Sequence, residues 1–360
     1  MTAPVPRRPH PRRLARRFLA ALLAATVIAA CAGAASRPLP YPLRVMGTYA
    51  NLQIVAADTA AAGRAARAAH RALQRVDSLM SNWTTTSEVA RLNRVAARET
   101  ALVQPEVADV LQAALEVSGE SGGAFDITVE PLVRAWGFIG GTPHVPDSAT
   151  VRRAFENVGV RHVRFDPATR RLHFAREGVR VDLGGIAKGY GVDAARRALE
   201  AHGVRDALID LSGNMYALGR PADARAWRIG IRDPRDRSPY FARLELSGGA
   251  IATSGKYEQF VAAGGRTYGH ILDPRTGVPA EGLISVTVLA PDAMTADAWG
   301  TALFVLGPEQ ARRAARARPD LDAVLIAPGA RIDTVYVERT LRGRFALEAG
   351  ARARFHVVWF

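Results

Sequence analysis

The 360-residue chain is 48% hydrophobic and 23% charged, the proportions of a soluble globular protein long enough to bury a sizeable core. Its formal charge of +14 invites nucleic acid as a partner, but Arg7, Arg8, Arg12, Arg13, Arg16 and Arg17 stand in the first thirty residues without an acid, leaving +8 for the rest. With no like-charge run beyond that leader and no basic stripe interleaved with aromatics, composition argues against nucleic-acid binding.

In chain order, residues 1–30 read as a targeting segment, arginine-rich and then apolar ("FLAALLAATVIAA"), too short to span a bilayer comfortably. Cys31 is the only cysteine, so no internal disulfide can form. "IAAC", Ile28 to Cys31, resembles a bacterial lipobox, in which the signal is cut before a lipidated cysteine. A plain secretory signal is the alternative. The reading predicts a signal peptide over 1–30, lipidation at Cys31, a proline and small-residue tether over 31–41, and one catalytic unit over 42–360.

Alternation in "LRVMGTYANLQIVA" predicts a strand or hairpin, and apolar spacing predicts an amphipathic helix over 58–80. Ser87 is placed to cap "EVARLN", and Pro105 opens a helix that stops at Gly122–Gly123. "AFDITVEPLVRAWGF" alternates like a half-exposed strand. "HVRFD", "RLHFA" and "VRVDL" read as strands before a helix over 186–201. Further strands are "DALIDLS", "WRIGIRD", "FARLELS" and "LISVTVLAP", then a helix at "TADAWGTALFVLG", a second at about 307–317, and closing strands "AVLIAP", "DTVYVE" and "FHVVWF". Helices mixed with such strands predict an α+β fold.

Chemistry concentrates in "VDLGGIAKGYGVD", Val181 to Asp193. A glycine pair at a helix start lets backbone N–H groups meet an anion, and Lys188 in the first turn opposes the helix dipole unless something negative compensates. The stretch is no nucleotide P-loop, because Gly189 stands where Ser or Thr should follow the lysine. A glycine turn with a solvated lysine remains the competing reading. Lys188 and Lys256 are the only lysines among 48 basic residues, which suits a site that needs a compact ammonium. In "TADAWGTALFVL", Asp297 and Thr301 lie four apart on one helical face, a carboxylate and a hydroxyl suited to Mg²⁺, or equally to dipole pairing and packing. His270 in "GHILDPRTGVP" is a candidate general base. No GxSxG, HExxH or Rossmann glycine pattern occurs.

Seven ordered motifs, "MGT" (46–48), "MSNW…SEVARLN" (80–93), "GGAFDITVEPLVRAWGF" (122–138), "VDLGGIAKGYGVD" (181–193), "SGKYEQF", "HILDPRTG" and "TADAWGTALFVLG", resemble the ApbE family of magnesium-dependent FAD:protein FMN transferases over roughly residues 42–310. The resemblance implies a single α+β domain, T-fold-like, with mixed or antiparallel sheets and packed helices. It also implies FAD contacts from Met46, Trp83, Ala124, Phe125, Asp126, Asp182, Lys188 and Ile271, and Mg²⁺ held by the Gly185 backbone with Asp297 and Thr301. His270, Lys188 and Asp182 would act in catalysis. Two positions depart from the pattern: Ser212 stands where glycine is common, and Lys256 where an acid or amide is. The implied reaction moves FMN from FAD to a Thr or Ser hydroxyl of a partner flavoprotein, of a respiratory electron-transfer complex, on the periplasmic side of a bacterial membrane, and releases AMP. FAD hydrolysis to FMN and AMP, or FAD storage without turnover, are the alternatives.

Overall fold

The computed structural model describes residues 37–221, 225–236, 240–257 and 259–360. The leader and Cys31, on which the signal and lipidation expectations rest, lie outside these. Nine strands form the main sheet, and they stand in the sheet in the order in which they occur in the chain. They are β1 (Leu39–Val45), β2 (Thr48–Ile54), β3 (Ala207–Leu211), β4 (Asn214–Leu218), β5 (Gly249–Gly255), β6 (Ser285–Ala290), β7 (Asp322–Ala327), β8 (Asp333–Val337) and β9 (Phe355–Trp359). All neighbours are antiparallel except β8 and β9. β1 already begins at Leu39, inside the segment assigned to the tether.

Because neighbouring strands follow each other in the chain, everything else is an insertion between adjacent strands. Between β2 and β3 come α1 (Thr59–Met80), α2 (Glu88–Val95), α3 (Pro105–Glu120), α4 (Glu130–Ala135), α5 (Ser148–Phe155) and α6 (Ala187–Ala201); α7 (Ala293–Arg316) joins β6 to β7. Helix starts follow the capping chemistry: the Asp58 carboxylate accepts from the Ala60 and Ala61 N–H groups, the Ser87 hydroxyl from Ala90 N–H, and Pro105 opens α3. Gly307, at φ 73° and ψ 171°, breaks α7 before Pro308, so its halves correspond to the two helices expected there.

Period-2 alternation sorts the sheet's side chains between two cores. Ile209, Ala252 and Leu325 face the helices, while their neighbours Leu208, Ile251 and Val324 face a second sheet built from Trp227–Arg232, Tyr240–Leu246 and Phe345–Leu347. Burial on both faces explains why β6 is buried at every position, although its sheet is antiparallel. A third, smaller core of Leu132, Trp136, Phe138, Val158 and Leu272 supports the hairpin Phe260–Ala263/Arg266–Gly269 through Val261 and Tyr268. The β1–β2 and β3–β4 hairpins turn on two residues each, Met46–Gly47 and Ser212–Gly213, with all four φ angles positive. A type I′ turn demands that geometry, which glycine adopts freely and methionine or serine only under strain.

Two sequence expectations are corrected. Val179–Leu183 forms no strand: the Asn93 amide on α2 brackets Val181, accepting from its N–H at 2.8 Å and donating to its carbonyl at 2.9 Å, so those backbone groups need no ladder. Asp182 N–H meanwhile donates to the Ile127 carbonyl at 2.7 Å. "AFDITVEPLVRAWGF" is likewise no strand but a 3₁₀ turn (Ile127–Val129) running into α4. There the Asp126 side chain caps the turn and Pro131 sits in the first turn of the helix. β4 and Phe345–Leu347 were not anticipated as strands.

Candidate active site

The starts of α6 and α7 meet, and the chemistry-bearing residues gather there. Gly189 makes the meeting possible: a Cβ at that position would lie 2.1 Å from the Ala293 carbonyl oxygen. The Ile186 side chain caps nothing at the start of α6. Instead, Gly189 N–H donates to Asp297 Oδ2 at 2.9 Å, across 108 residues of sequence. No bond from Gly189 to the Gly185 carbonyl accompanies it among the described residues.

Lys188 Nζ donates to the Gly184 carbonyl at 3.2 Å and stands 3.7 Å from Asp297 Oδ1. The compensating negative charge in the first turn of α6 is therefore a carboxylate of another helix. Thr301, one turn beyond Asp297, donates its hydroxyl to the Asp297 carbonyl at 3.4 Å. Gly185 fits between Thr301 and Phe125, where a Cβ would come within 3.2 Å of Thr301 Oγ1 and 3.1 Å of Phe125 Cε2. The three residues expected at a metal thus adjoin one another. Among the described residues no three His, Cys, Asp or Glu side chains cluster. A cation here would rest on one carboxylate oxygen, a hydroxyl and a carbonyl, a sparse hard-oxygen set that fits Mg²⁺, which keeps its remaining positions for water and phosphate.

Of the other expected residues, Phe125 lies against Gly185, and Asp182 and His270 both feel the charge of Lys188. Asp182 Oδ1 accepts from Gly184 N–H at 2.8 Å, tightening the glycine turn. Burial holds this carboxyl above its ordinary range, opposed by that N–H, while the charge of Glu130 adds to the rise and Lys188 opposes it. Ala124 and Phe125 are buried. The Asp126 carboxylate serves the fold: it accepts from Thr128 N–H and hydroxyl at 2.8 and 2.6 Å and from Val160 N–H at 3.1 Å. Met46 occupies its strained turn with its N–H on Asp77 Oδ2 at 3.0 Å, and its sulfur lies 3.3 Å from where a Cβ on Gly191 of α6 would be. Trp83, 70% exposed, offers a free ring face.

His270 follows the Arg266–Gly269 strand, with Nδ1 3.2 Å from the Gln259 carbonyl and its ring edge-on to Phe138. A carbonyl can only accept, so Nδ1 carries the proton and Nε2 is left as the basic nitrogen. Burial pushes this imidazole down to about 4 against the pull of the Gln259 carbonyl, and the charge of Lys188 lowers it further. The residue is therefore neutral near pH 7. Ile271, beside it, packs partly buried on the main core and accepts from Ala280 N–H. Asp273 and Arg275 pair with each other around the "DPRTG" turn.

The sequence pattern of the ApbE family matches residues 46–325. The chain belongs to the ApbE family. A FAD:protein FMN transferase of Klebsiella pneumoniae is 34% identical over 295 residues, 81% of this chain and 90% of that protein. One of Treponema pallidum is 33% identical over 324 residues, covering 84% and 90%. Among solved structures, the ApbE protein of Thermotoga maritima matches with a TM-score of 0.79 at 30% identity, over 86% of this chain and 99% of that one. The flavin transferase ApbE of Vibrio cholerae matches at 0.76 and 30%, over 85% and 98%.

Within this ApbE chain the two departures have local accounts. Ser212 takes the left-handed conformation (φ 52°) that glycine would adopt without strain. Lys256 packs its Cβ 3.0 Å from the Cβ position of Gly269, and its charge helps lower the Asp333 carboxyl. Sequence reasoning missed Asn82, Asn93, Asp77 and Asp193, whose partners lie dozens of residues away. Their only local sign was a short polar side chain at the end or buried face of a helix.

Proposed function

We propose that this chain is an FAD:protein FMN transferase that passes FMN from FAD to a Ser or Thr hydroxyl of a partner flavoprotein and releases AMP. The observation that carries the reading is the convergence of Lys188, the Gly184–Gly185 turn, Asp297 and Thr301 where two helices begin. The Gly184–Gly185 turn and Lys188 lie at the N-terminal, positive end of α6, which suits a pyrophosphate. Gly185, Asp297 and Thr301 would hold Mg²⁺, which when bound supplies charge neutralisation and Lewis acidity at the phosphates.

The chain's own groups do the rest. Met46, Trp83, Ala124, Phe125, Asp126 and Ile271 surround the flavin nucleotide, and Asp182 keeps the glycine turn closed. His270 Nε2 takes the proton of the acceptor hydroxyl. The hydroxyl oxygen bonds to the phosphorus of the FMN half, the bond from that phosphorus to the bridging oxygen breaks, and AMP leaves with that oxygen. Lys188 stabilises the charge that develops on the transferred phosphoryl group.

Arginines, an apolar run and "IAAC" in residues 1–31 support the reading of a lipid on Cys31 and an enzyme at the periplasmic face of a bacterial membrane. The acceptor is then a flavoprotein subunit of a respiratory electron-transfer complex exposed on that side. Metabolic labelling with a radioactive fatty acid tests this: label on the wild type and none on Cys31→Ser is expected, and an unlabelled wild type refutes the anchor.

The activity is tested by incubating the protein with FAD, Mg²⁺ and a candidate acceptor. Covalently bound flavin with AMP is the expected result. AMP without covalent flavin means hydrolysis, and neither product means storage. Asp297→Ala abolishes the reaction; full activity in that variant refutes the metal assignment.

A further inference from the structure

We infer that Asp193 is a positioning residue for the Asp297–Thr301 site, holding α7 on α6 so that Asp297 presents one oxygen outward. The inference rests on the metal reading above. Its geometry is a reciprocal exchange between two helices. Each helix offers a first-turn N–H, from Gly189 on α6 and from Ala293 on α7. Each also offers a carboxylate four residues later, Asp193 and Asp297. Asp193 Oδ1 accepts from Ala293 N–H at 3.0 Å and its Oδ2 from Met294 N–H at 2.9 Å. In return Asp297 Oδ2 accepts from Gly189 N–H at 2.9 Å.

The exchange is unequal, and the inequality assigns the roles. Asp193 commits both oxygens to the partner helix and is only 4% exposed. Asp297 commits one, leaving Oδ1 beside Lys188 with Thr301 one turn on. Asp193 is not needed as a simple cap, because α7 already has one: Asp292 accepts from Thr295 N–H and from its hydroxyl, both at 2.8 Å. Two carboxylates at one helix start repel each other, and burial with Asp292 nearby raises Asp193 to about 6, partly offset by the Ala293 and Met294 N–H groups and, least, by Arg196 at 4.0 Å. Capping alone would avoid that cost. Tying one helix to the other requires a residue on α6, and Asp193 is placed one turn beyond the Gly189 contact.

The test measures binding rather than turnover. Mn²⁺ affinity is read by electron paramagnetic resonance on the wild type, Asp193→Ala, Asp193→Asn and Asp297→Asn, without FAD. Thermal melts of the same samples establish that each is folded. Removing a group that orients a ligand weakens metal affinity by about tenfold or more. Asp193→Ala is expected to lose that much, and Asp193→Asn less, because its amide oxygen still accepts one N–H. A residue that only stabilises the fold would lower the melting temperature and leave the affinity of the folded protein unchanged. That outcome overturns the inference. If Asp193→Ala does not fold, Asp193→Asn decides by the same criterion, with wild-type affinity counting against the proposal. A wild type that binds no Mn²⁺, or an Asp297→Asn variant that binds it equally well, instead overturns the metal reading, and the inference with it.

Discussion

Substituting alanine at two glycines of one helix turn separates close backbone approach from ordinary helix preference. At Gly189 an added Cβ lies 2.1 Å from Ala293 O, 2.6 Å from its carbonyl carbon and 2.7 Å from Met294 Cα, all backbone atoms. Relief requires α6 and α7 to part by roughly 1 Å or more before carbon reaches its usual contact distance. Overpacking of this kind costs about 1–3 kcal/mol. Parting the helices also stretches the Gly189–Asp297 bond, and a hydrogen bond to a charged group contributes about 1.5–3 kcal/mol. Gly189→Ala should therefore destabilise by about 3 kcal/mol or more. At Gly191 the same methyl meets Leu73 Cδ2 and Met46 Sδ at 3.3 Å, the far ends of flexible side chains. Alanine there regains about 1 kcal/mol of helix propensity, so the net change stays within about 1 kcal/mol of zero. Urea denaturation of both variants measures the contrast. Equal midpoints for the two would refute the claim that backbone contact, rather than glycine's flexibility, explains Gly189.

Acid sensitivity should carry a His270 signature. Its pKa falls from 6.5 to about 4 on folding, so as pH drops the unfolded chain takes up the proton first. The stability contributed by the neutral ring is complete above 6.5 and lost toward pH 4, and His270→Gln should flatten the urea midpoint across that window. An unchanged slope would refute the burial of the neutral ring. Ser212→Gly should stabilise by about 1 kcal/mol by removing left-handed strain in the β3–β4 turn, read as a higher urea midpoint. Lys188→Met should weaken FAD binding and tighten Mn²⁺ binding, each on the order of tenfold, because the ammonium attracts phosphate and competes for Asp297. Calorimetry reads both affinities, and a parallel loss of the two would contradict that division of labour.

What could be read from the sequence was local. Ser87 and Pro105 announced their helices because a helix start is read from the next few residues, and Asp297 with Thr301 needed only helical spacing. Val179–Leu183 misled because an isolated apolar run cannot reveal that Asn93, 88 residues earlier, will satisfy Val181 in place of a neighbouring strand. The bond from Val160 N–H to Asp126 was hidden for the same reason, since two helices, α4 and α5, separate the pair in the chain. Pro131 was a legible sign against a strand, outweighed by alternation alone. The start of α6 carries the subtler lesson. It opens on Ile186 with no capping side chain and puts a lysine in its first turn, two choices that each disfavour a helix in isolation. An acid arriving from elsewhere stabilises such a start. The missing cap was therefore itself a signal for a distant carboxylate, and Asp297 supplies it through Gly189 N–H while keeping its other oxygen for the site.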